Sequence, residues 1–354
     1  MVEVWTHAAP VPHAIAAEAR LAEAQGWDGL GVPDSQNRAG DAYVALAMAA
    51  TVTERIGLAT AVTNSITRMA ATTAAAIASV DRIAEGRAVL GIGRGDSAVA
   101  DLGRAPARVE RFETYLRHLQ TYLRGEAVPF DELEVPATRP VDALHLADAA
   151  PESRIQWLAG ARKVPVEVAV SGPRMFRVAA LHADRLMFAL GADAERIAWG
   201  IGIARSAREA AGLDPDGVAF GAYVNCVCHP EIEVARDLVR GGLATFARFS
   251  VMHGNVQGPA SGETEGTLKA MHSVYDMRKH TRGDSRQARM LSPEFIDRFA
   301  VVGPPDHCVE KLRALAGLGL DKLFLATNFT LRDETGLEAI ALAAKEVLPA
   351  LRVA

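Results

Sequence analysis

The chain has 354 residues, 49% of them apolar and 23% charged, with 43 acidic side chains against 38 basic ones. That length accommodates one large or two ordinary domains with a substantial core. A net charge of −5 excludes a broadly basic surface for nucleic acid or anionic lipid, and no apolar run approaches the ~20 residues that span a bilayer.

Val2 to Thr6 reads as a first strand that begins at once, with no charged and apolar leader ahead of it. Val11 to Gln25 is an amphipathic helix followed by Gly26, and Trp27 to Val32 a second strand running into the polar loop Pro33 to Arg38. Asp41 suits an N-cap for the alanine-rich helix Tyr43 to Thr53. Ile56 to Thr63 is a third strand that ends in Asn64, Ser65, Thr67 and Arg68. Ala70 to Ile83 is a helix with Ile77, Val80 and Ile83 at helical spacing, and Gly86 lies just past it. Arg87 to Ile92 is continuously apolar, as a strand buried on both faces of a parallel sheet requires, and it leads into Gly93-Arg94-Gly95-Asp96-Ser97.

Pro106 to Arg124 carries one apolar helical stripe: Val109, Phe112, Leu116, Leu119 and Leu123. From Glu126 to Arg154 the period is lost and prolines accumulate, which predicts an insertion containing a hairpin. Strand–helix alternation resumes with strands at Val164 to Val170, Arg185 to Leu190 and Val218 to Cys228. The helices between and after them are Arg174 to Ala183, Asp193 to Gly212 and Pro230 to Phe249. Gly254 to Gly283 is glycine-rich and polar, and reads as part of a second insertion that includes the most mobile part of the chain. Ser292-Pro293-Glu294 opens a short helix, Asp306 to Leu318 is a longer one, and Leu320 to Ala326 is the eighth strand before a last helix, Glu334 to Leu348. Eight strands alternating with helices predict an α/β fold of the (β/α)8 TIM-barrel type with insertions at about 126–160 and 250–300, all within one domain spanning 1–354. A doubly wound open sheet is the rival; no GxGxxG follows the first strand. The three cysteines, Cys226, Cys228 and Cys308, are too few for a disulfide framework and point to a cytoplasmic protein. Cys226-Val227-Cys228-His229 has the wrong spacing for zinc, so these read as buried thiols and no metal is expected.

The segments DSQNRAGDAYVALAMAA, ERIGLATAVTNSITR, ASVDRIAEGRAVLGIGRGDSAV and VVGPPDHCVEKLRALAGLGLDKLFL resemble the bacterial luciferase-like superfamily. The branch they resemble most is that of methylenetetrahydromethanopterin reductase and related oxidoreductases that use coenzyme F420, a deazaflavin. The resemblance spans nearly the whole chain. It implies a flavin or deazaflavin at the C-terminal mouth of the barrel and a homodimer. It also implies a cis peptide at Ala61–Val62, in a bulge of the third strand pressed against the central ring of the cofactor.

Related enzymes that oxidise sugar phosphates have Asp-His where this chain has Asp34-Ser35, so that histidine base is missing here. Asp34 is placed to bond the pyrimidine end of the ring or to cap its own loop, beside Ser35, Thr63 and Asn64. Asp96, after Gly93, matches a proton donor of relatives, with an N-cap as the alternative role. Ser171, Gly172, Pro173 and Arg174 resemble a cradle for the cofactor phosphate at a helix start, with Gly191 and Ala192 as the opposite wall. His7 ends the first strand and faces either the mouth or the core. Lys269, Arg278, Lys279, Arg282, Arg286 and Arg289 offer basic surface to an acidic cofactor tail, and the second insertion is placed to close as a lid.

The function these features imply is hydride transfer between F420 and a small organic substrate. One alternative is an FMN-dependent monooxygenase, served by a separate flavin reductase and activating oxygen; another is a non-catalytic flavin-binding protein. A cofactor-free isomerase would need an acid/base pair that the sequence does not display.

Overall fold

Eight parallel strands close on themselves into a barrel in the computed structural model, which describes residues 2–133, 135, 138–326 and 334–352. The barrel strands are β1 (Glu3–His7), β2 (Gly29–Val32), β3 (Gly57–Asn64), β4 (Ala88–Gly93), β5 (Val166–Val170), β6 (Arg185–Phe188), β7 (Ala219–Cys228) and β9 (Lys322–Ala326). Each pairs with its successor, and β9 pairs with both β7 and β1 to complete the ring. A ninth strand, β8 (Val301–Gly303), lies outside the ring and lengthens β7 by pairing Val301 with Cys226. Three apolar residues before Pro304 are too few to stand out as a strand in sequence.

The outer layer begins with α1 (Ile15–Ala24), α2 (Ala42–Ala50), α3 (Ala70–Ile83), α4 (Ser97–Ala100) and α5 (Val109–Leu123). It continues with α6 (Pro173–His182), α7 (Ala194–Ala210), α8 (Ile232–Ala247), α9 (Gly262–Ser273), α10 (Arg286–Arg289) and α11 (Pro293–Phe299). The last helices are α12 (Pro305–Ala316), α13 (Glu334–Leu342) and α14 (Leu348–Arg352), the final two joined by a π-helical turn at Ala343–Val347. Local chemistry sets several of these starts. The Asp41 carboxylate accepts from Tyr43 N at 2.8 Å and Val44 N at 3.1 Å, and Asp193 caps α7 in the same way.

Among its described residues, the segment from Glu126 to Arg154 contains no hairpin of regular strands. Only one antiparallel bridge, Val128 with Ser153, ties its ends, and short 3₁₀ turns occupy Phe130–Glu132 and Val141–Leu144. The second excursion is more regular than its composition suggests. Ser261 accepts from Thr264 N at 3.2 Å and starts the twelve-residue helix α9, whose Gly262 and Gly266 obscured the helical period.

Inside the barrel, strand periodicity turns alternate residues toward the axis. Trp5 fills the floor because its neighbours have no side chains. A Cβ on Gly29 would fall 2.0 Å from the Trp5 indole, and one on Gly57 2.6 Å from it. Beside Trp5 the buried Glu167 carboxylate accepts from Lys322 Nζ at 2.9 Å and Arg185 at 2.5 Å, and Lys322 Nζ lies 3.3 Å from the centre of the Trp5 ring. Nearer the C-terminal end many of the residues that line the interior are small, among them Ala61, Gly93, Ala169, Ala189 and Ala326, and they leave room beside Tyr223 and Phe324. The barrel is therefore solid below and hollow above.

Candidate active site at the barrel mouth

The hollow is a cavity of about 240 Å³ at the C-terminal strand ends, where barrel enzymes place their chemistry. Ala61, Val62, Ala169, Ala189, Tyr223 and Phe324 give it an apolar body, and Phe246 and Phe249 form an aromatic side wall. The Ala61–Val62 peptide bond is cis, and the β3–β4 register shifts between Thr60 and Thr63 at the same place. The bulge implied by the family resemblance is thus present and lines the cavity.

Asp34 is 3% exposed and lines the same space. Its Oδ2 accepts from Thr63 Oγ1 at 2.6 Å and from Arg68 at 2.6 Å, and Arg68 reaches on to Asp41 at 2.5 Å. The carboxylate therefore links the ends of β2 and β3, where the sequence left a loop cap open as its role. Ser35 stands beside it in the wall.

Asn64 folds its own loop. Its Oδ1 accepts from Ile66 N and Thr67 N, both at 3.0 Å, while its buried Nδ2 has no partner. Across the cavity Asn225 Nδ2 donates to Ala326 O at 3.4 Å, and its buried Oδ1 has no partner. A buried, unmade hydrogen bond costs about 1–3 kcal/mol, so this unpaired donor and acceptor are ready for a ligand that offers both kinds of group. Asn225 was invisible in the sequence as a site residue. It lies mid-strand, in a run of buried residues, and only strand alternation aims it inward.

Gly93 and Asp96 also line the cavity. The Asp96 side chain does not cap α4; it pairs with Arg248, which follows α8. Arg248 itself is buried and packs over the Tyr275 ring at 4.9 Å. From the second excursion come His280 and Thr281, which close one side of the mouth. Tyr275 Oη and His280 Nδ1 are 2.9 Å apart. Burial pushes the His280 imidazole down to about 4, reinforced by the Arg38 and Arg248 cations and opposed by the Asp96 and Asp101 carboxylates.

The phosphate cradle is assembled in part. Ser171 lines the cavity, Gly172 is open to side-chain-sized space, and Pro173 starts α6. Arg174 is paired with Glu110 on the exposed side. Gly191 and Ala192 do not form the opposite wall. Ala192 N already donates to Phe299 O at 2.7 Å, and a Cβ on Gly191 would lie 2.6 Å from the Phe299 ring, so α11 covers this turn. Nor does His7 line the cavity, although it ends β1 as expected. Half of the six basic residues of the second excursion are paired locally: Lys269 with Glu265, Arg278 with Asp276 and Arg282 with Asp284. Among the described residues no group of three or more His, Cys, Asp or Glu side chains could hold a metal, and no helix is long and apolar enough to cross a membrane. Cys226, Cys228 and Cys308 are free, buried thiols.

A closed parallel barrel with a ligand cavity at its C-terminal rim defines the class of (β/α)8 enzymes. Within that class the chain belongs to the luciferase-like monooxygenase family, whose model it matches over residues 2–322. It is 27% identical over 341 residues to a 5,10-methylenetetrahydromethanopterin reductase of Methanolobus tindarius, covering 94% of this chain and 95% of that protein. Its fold matches the coenzyme F420 dependent tetrahydromethanopterin reductase from Methanopyrus kandleri with a TM-score of 0.74 at 19% identity, covering 99% of each chain. It matches an F420-dependent secondary alcohol dehydrogenase, solved with an F420-acetone adduct, with a TM-score of 0.68 at 16% identity and 99% of each chain covered. At such identities the two solved structures speak for the fold.

Proposed function

We propose that the protein is a coenzyme F420-dependent oxidoreductase that moves a hydride between the deazaflavin and a small organic substrate. The observation that carries this reading is the pair of unpartnered buried groups, Asn64 Nδ2 and Asn225 Oδ1, at a largely apolar cavity lined by the Ala61–Val62 cis peptide. A polar-edged aromatic ring that both donates and accepts suits that cavity. The names of the relatives, reductases and a dehydrogenase working with F420, supply the cofactor.

When bound, the deazaflavin supplies a carbon that takes or gives a hydride. In this reading Ala61 and Val62 back the ring, and Thr63, Asn64 and Asn225 hold its polar edge. Asp34 and Ser35 orient the pyrimidine end, and Gly93 leaves the mouth open. Ser171, Gly172 and Pro173 bring the positive end of α6 to the phosphate, with Arg174 near it. Asp34 and Asp96 are the candidate catalytic carboxylates. Excluding water is assigned to the aromatic wall and to the segment bearing His280.

The reading takes 1–354 as one barrel domain with its two insertions, working in the cytoplasm. It also takes the protein as a homodimer, supported by the exposed Val44 on α2 and Met69 at the start of α3. Titrating the protein separately with F420 and with FMN, followed by fluorescence quenching, tests it: F420 binds at micromolar concentration. Clear FMN binding with no F420 response overturns it. That outcome would favour the FMN-dependent monooxygenase, with its separate flavin reductase, which the family's own description supports.

A further inference from the structure

Among the described residues that line the mouth, three carry a full charge at neutral pH, Asp34, Arg94 and Asp96, and only Arg94 lacks a counter-charge. Asp34 is met by Arg68 and Asp96 by Arg248, two arginines that are not themselves part of the lining. Asp41, the second partner of Arg68, stands partly in solvent. Arg94 has no carboxylate within ion-pair distance, and Glu110 is taken by Arg174. The half-buried Arg94 is held by main chain instead. Its Nε donates to Ala107 O at 2.6 Å, and Ala107 N donates to Arg94 O at 3.0 Å, which leaves both terminal nitrogens of the guanidinium unclaimed. Gly95 follows at a φ of +91°, and a Cβ there would fall 2.3 Å from the Val99 side chain, so the turn that carries Arg94 requires glycine. The charge is disfavoured where it stands: burial lowers the Arg94 pKa from its ordinary value, the Arg174 cation adds to this, and Glu110 opposes it.

We propose that Arg94 is a specificity-determining residue that receives an oxyanion, a carboxylate or a phosphate, carried by the molecule that fills this mouth. This rests on the proposed function for what fills it. The cavity's own carboxylates are already neutralised, so a neutral ligand would leave one uncompensated cation in the wall, and an anionic one removes that cost. A guanidinium whose two terminal nitrogens are open presents the planar fork that matches carboxylate and phosphate oxygens, and its tie to Ala107 reduces the rotamer freedom to be lost on binding. Two sources of the anion fit the position. In the chain Arg94 is two residues from Asp96, on the side of the candidate catalytic carboxylate, which suits a substrate carboxylate. Across the sheet, the pairing of Ile92 with Val168 sets Arg94 level with Val170, one residue before Ser171, which suits an anionic side chain of the cofactor. The chemistry that Arg94 selects is the same in both.

The test begins with the free protein ¹⁵N-labelled at arginine, the Arg94 signals being assigned by their loss in Arg94→Gln. Inorganic phosphate is expected to shift the Arg94 guanidinium signals, and sodium chloride at the same ionic strength is not. Two matched pairs of probes then separate the sources: benzoate against benzamide, and F420 against the same deazaflavin without its phosphate and tail. A substrate-borne anion makes Arg94→Gln weaken benzoate about tenfold and leave benzamide and F420 unchanged. A cofactor-borne anion makes it weaken F420 about tenfold and leave the phosphate-free deazaflavin unchanged. In either case Arg94→Lys, which keeps the charge but not the fork, recovers part of the lost affinity, as a residue that only ties down Ala107 would not. No phosphate-specific shift, or equal losses for the charged and neutral members of both pairs, overturns the assignment. If F420 fails to bind while phosphate and benzoate still move the Arg94 signals, the proposed function fails and the anion receptor stands.

Discussion

Asp34 and Arg68 meet at 2.6 Å, and through them the end of β2 is tied to the turn that precedes α3. Asp34 is almost wholly buried, while the Arg68 guanidinium keeps a fifth of its surface in water, packs over the Tyr43 ring at 4.8 Å and continues to Asp41. The pair thus holds the cavity wall in place from behind. Removing one partner strands a buried charge; removing both does not.

Arg68→Met should therefore destabilise the protein by about 3 kcal/mol in denaturant unfolding, the low end of the range for breaking a buried pair because Arg68 is partly solvated. The double variant Arg68→Met with Asp34→Asn should lose clearly less than the two single losses added together. Strict additivity would show that the pair is not energetically coupled.

Asn225→Leu removes the unpartnered Oδ1 while keeping volume in the wall. Stability should stay level or rise, because the buried amide already lacks one partner. F420 affinity should fall by about tenfold, the worth of one hydrogen bond. If stability falls and affinity holds, Asn225 is a structural residue.

The floor of the barrel makes a packing prediction. Gly29→Ala places a methyl group where Trp5 already sits, 2.0 Å from its ring atoms, and that strand has no slack. A loss of about 1–3 kcal/mol or more in thermal or chemical unfolding is expected. Trp5→Leu in the same chain should relieve most of the added strain. Equal losses in the two backgrounds would mean that Trp5 is not the obstacle.

His280 also gives the protein a pH signature. Its folded value of about 4 lies below the 6.5 of an exposed histidine, so the folded state binds the proton less readily than the unfolded chain. Its contribution is fully present above pH 6.5 and is lost as pH falls toward 4, by about 3 kcal/mol in total. His280→Gln should flatten that part of the stability profile measured by urea unfolding between pH 4 and 7. An unchanged slope would mean that another group titrates there.

Arg196 links the fold to the segment that follows α8. Its fully buried guanidinium donates to Pro259 O and Gln257 O, both at 2.7 Å, to Ser250 Oγ at 2.9 Å and to Leu190 O at 3.3 Å. Arg196→Met leaves those acceptors unmet. Amide exchange across 250–259 should accelerate well before global unfolding, and uniform acceleration across the chain would contradict a local anchor.

The strands, most helices and the barrel count were legible along the chain because their causes are short-range. Continuous apolar runs mark strands covered on both faces, and Asp41, Asp193 and Ser292 bond amides only two or three residues away. The cis peptide at Ala61–Val62 was reached through family resemblance and not through any local signal. Tertiary structure alone decided the rest. Asp96 pairs with Arg248 across 152 positions, and Asn225 is aimed into the cavity by the register of β7. Gly191 and Ala192 are hidden behind Phe299, and His280 reaches the mouth from a stretch whose composition reads as loop. A side chain's partner depends on where the closed barrel brings distant loops together, and no residue type or spacing encodes that position in advance.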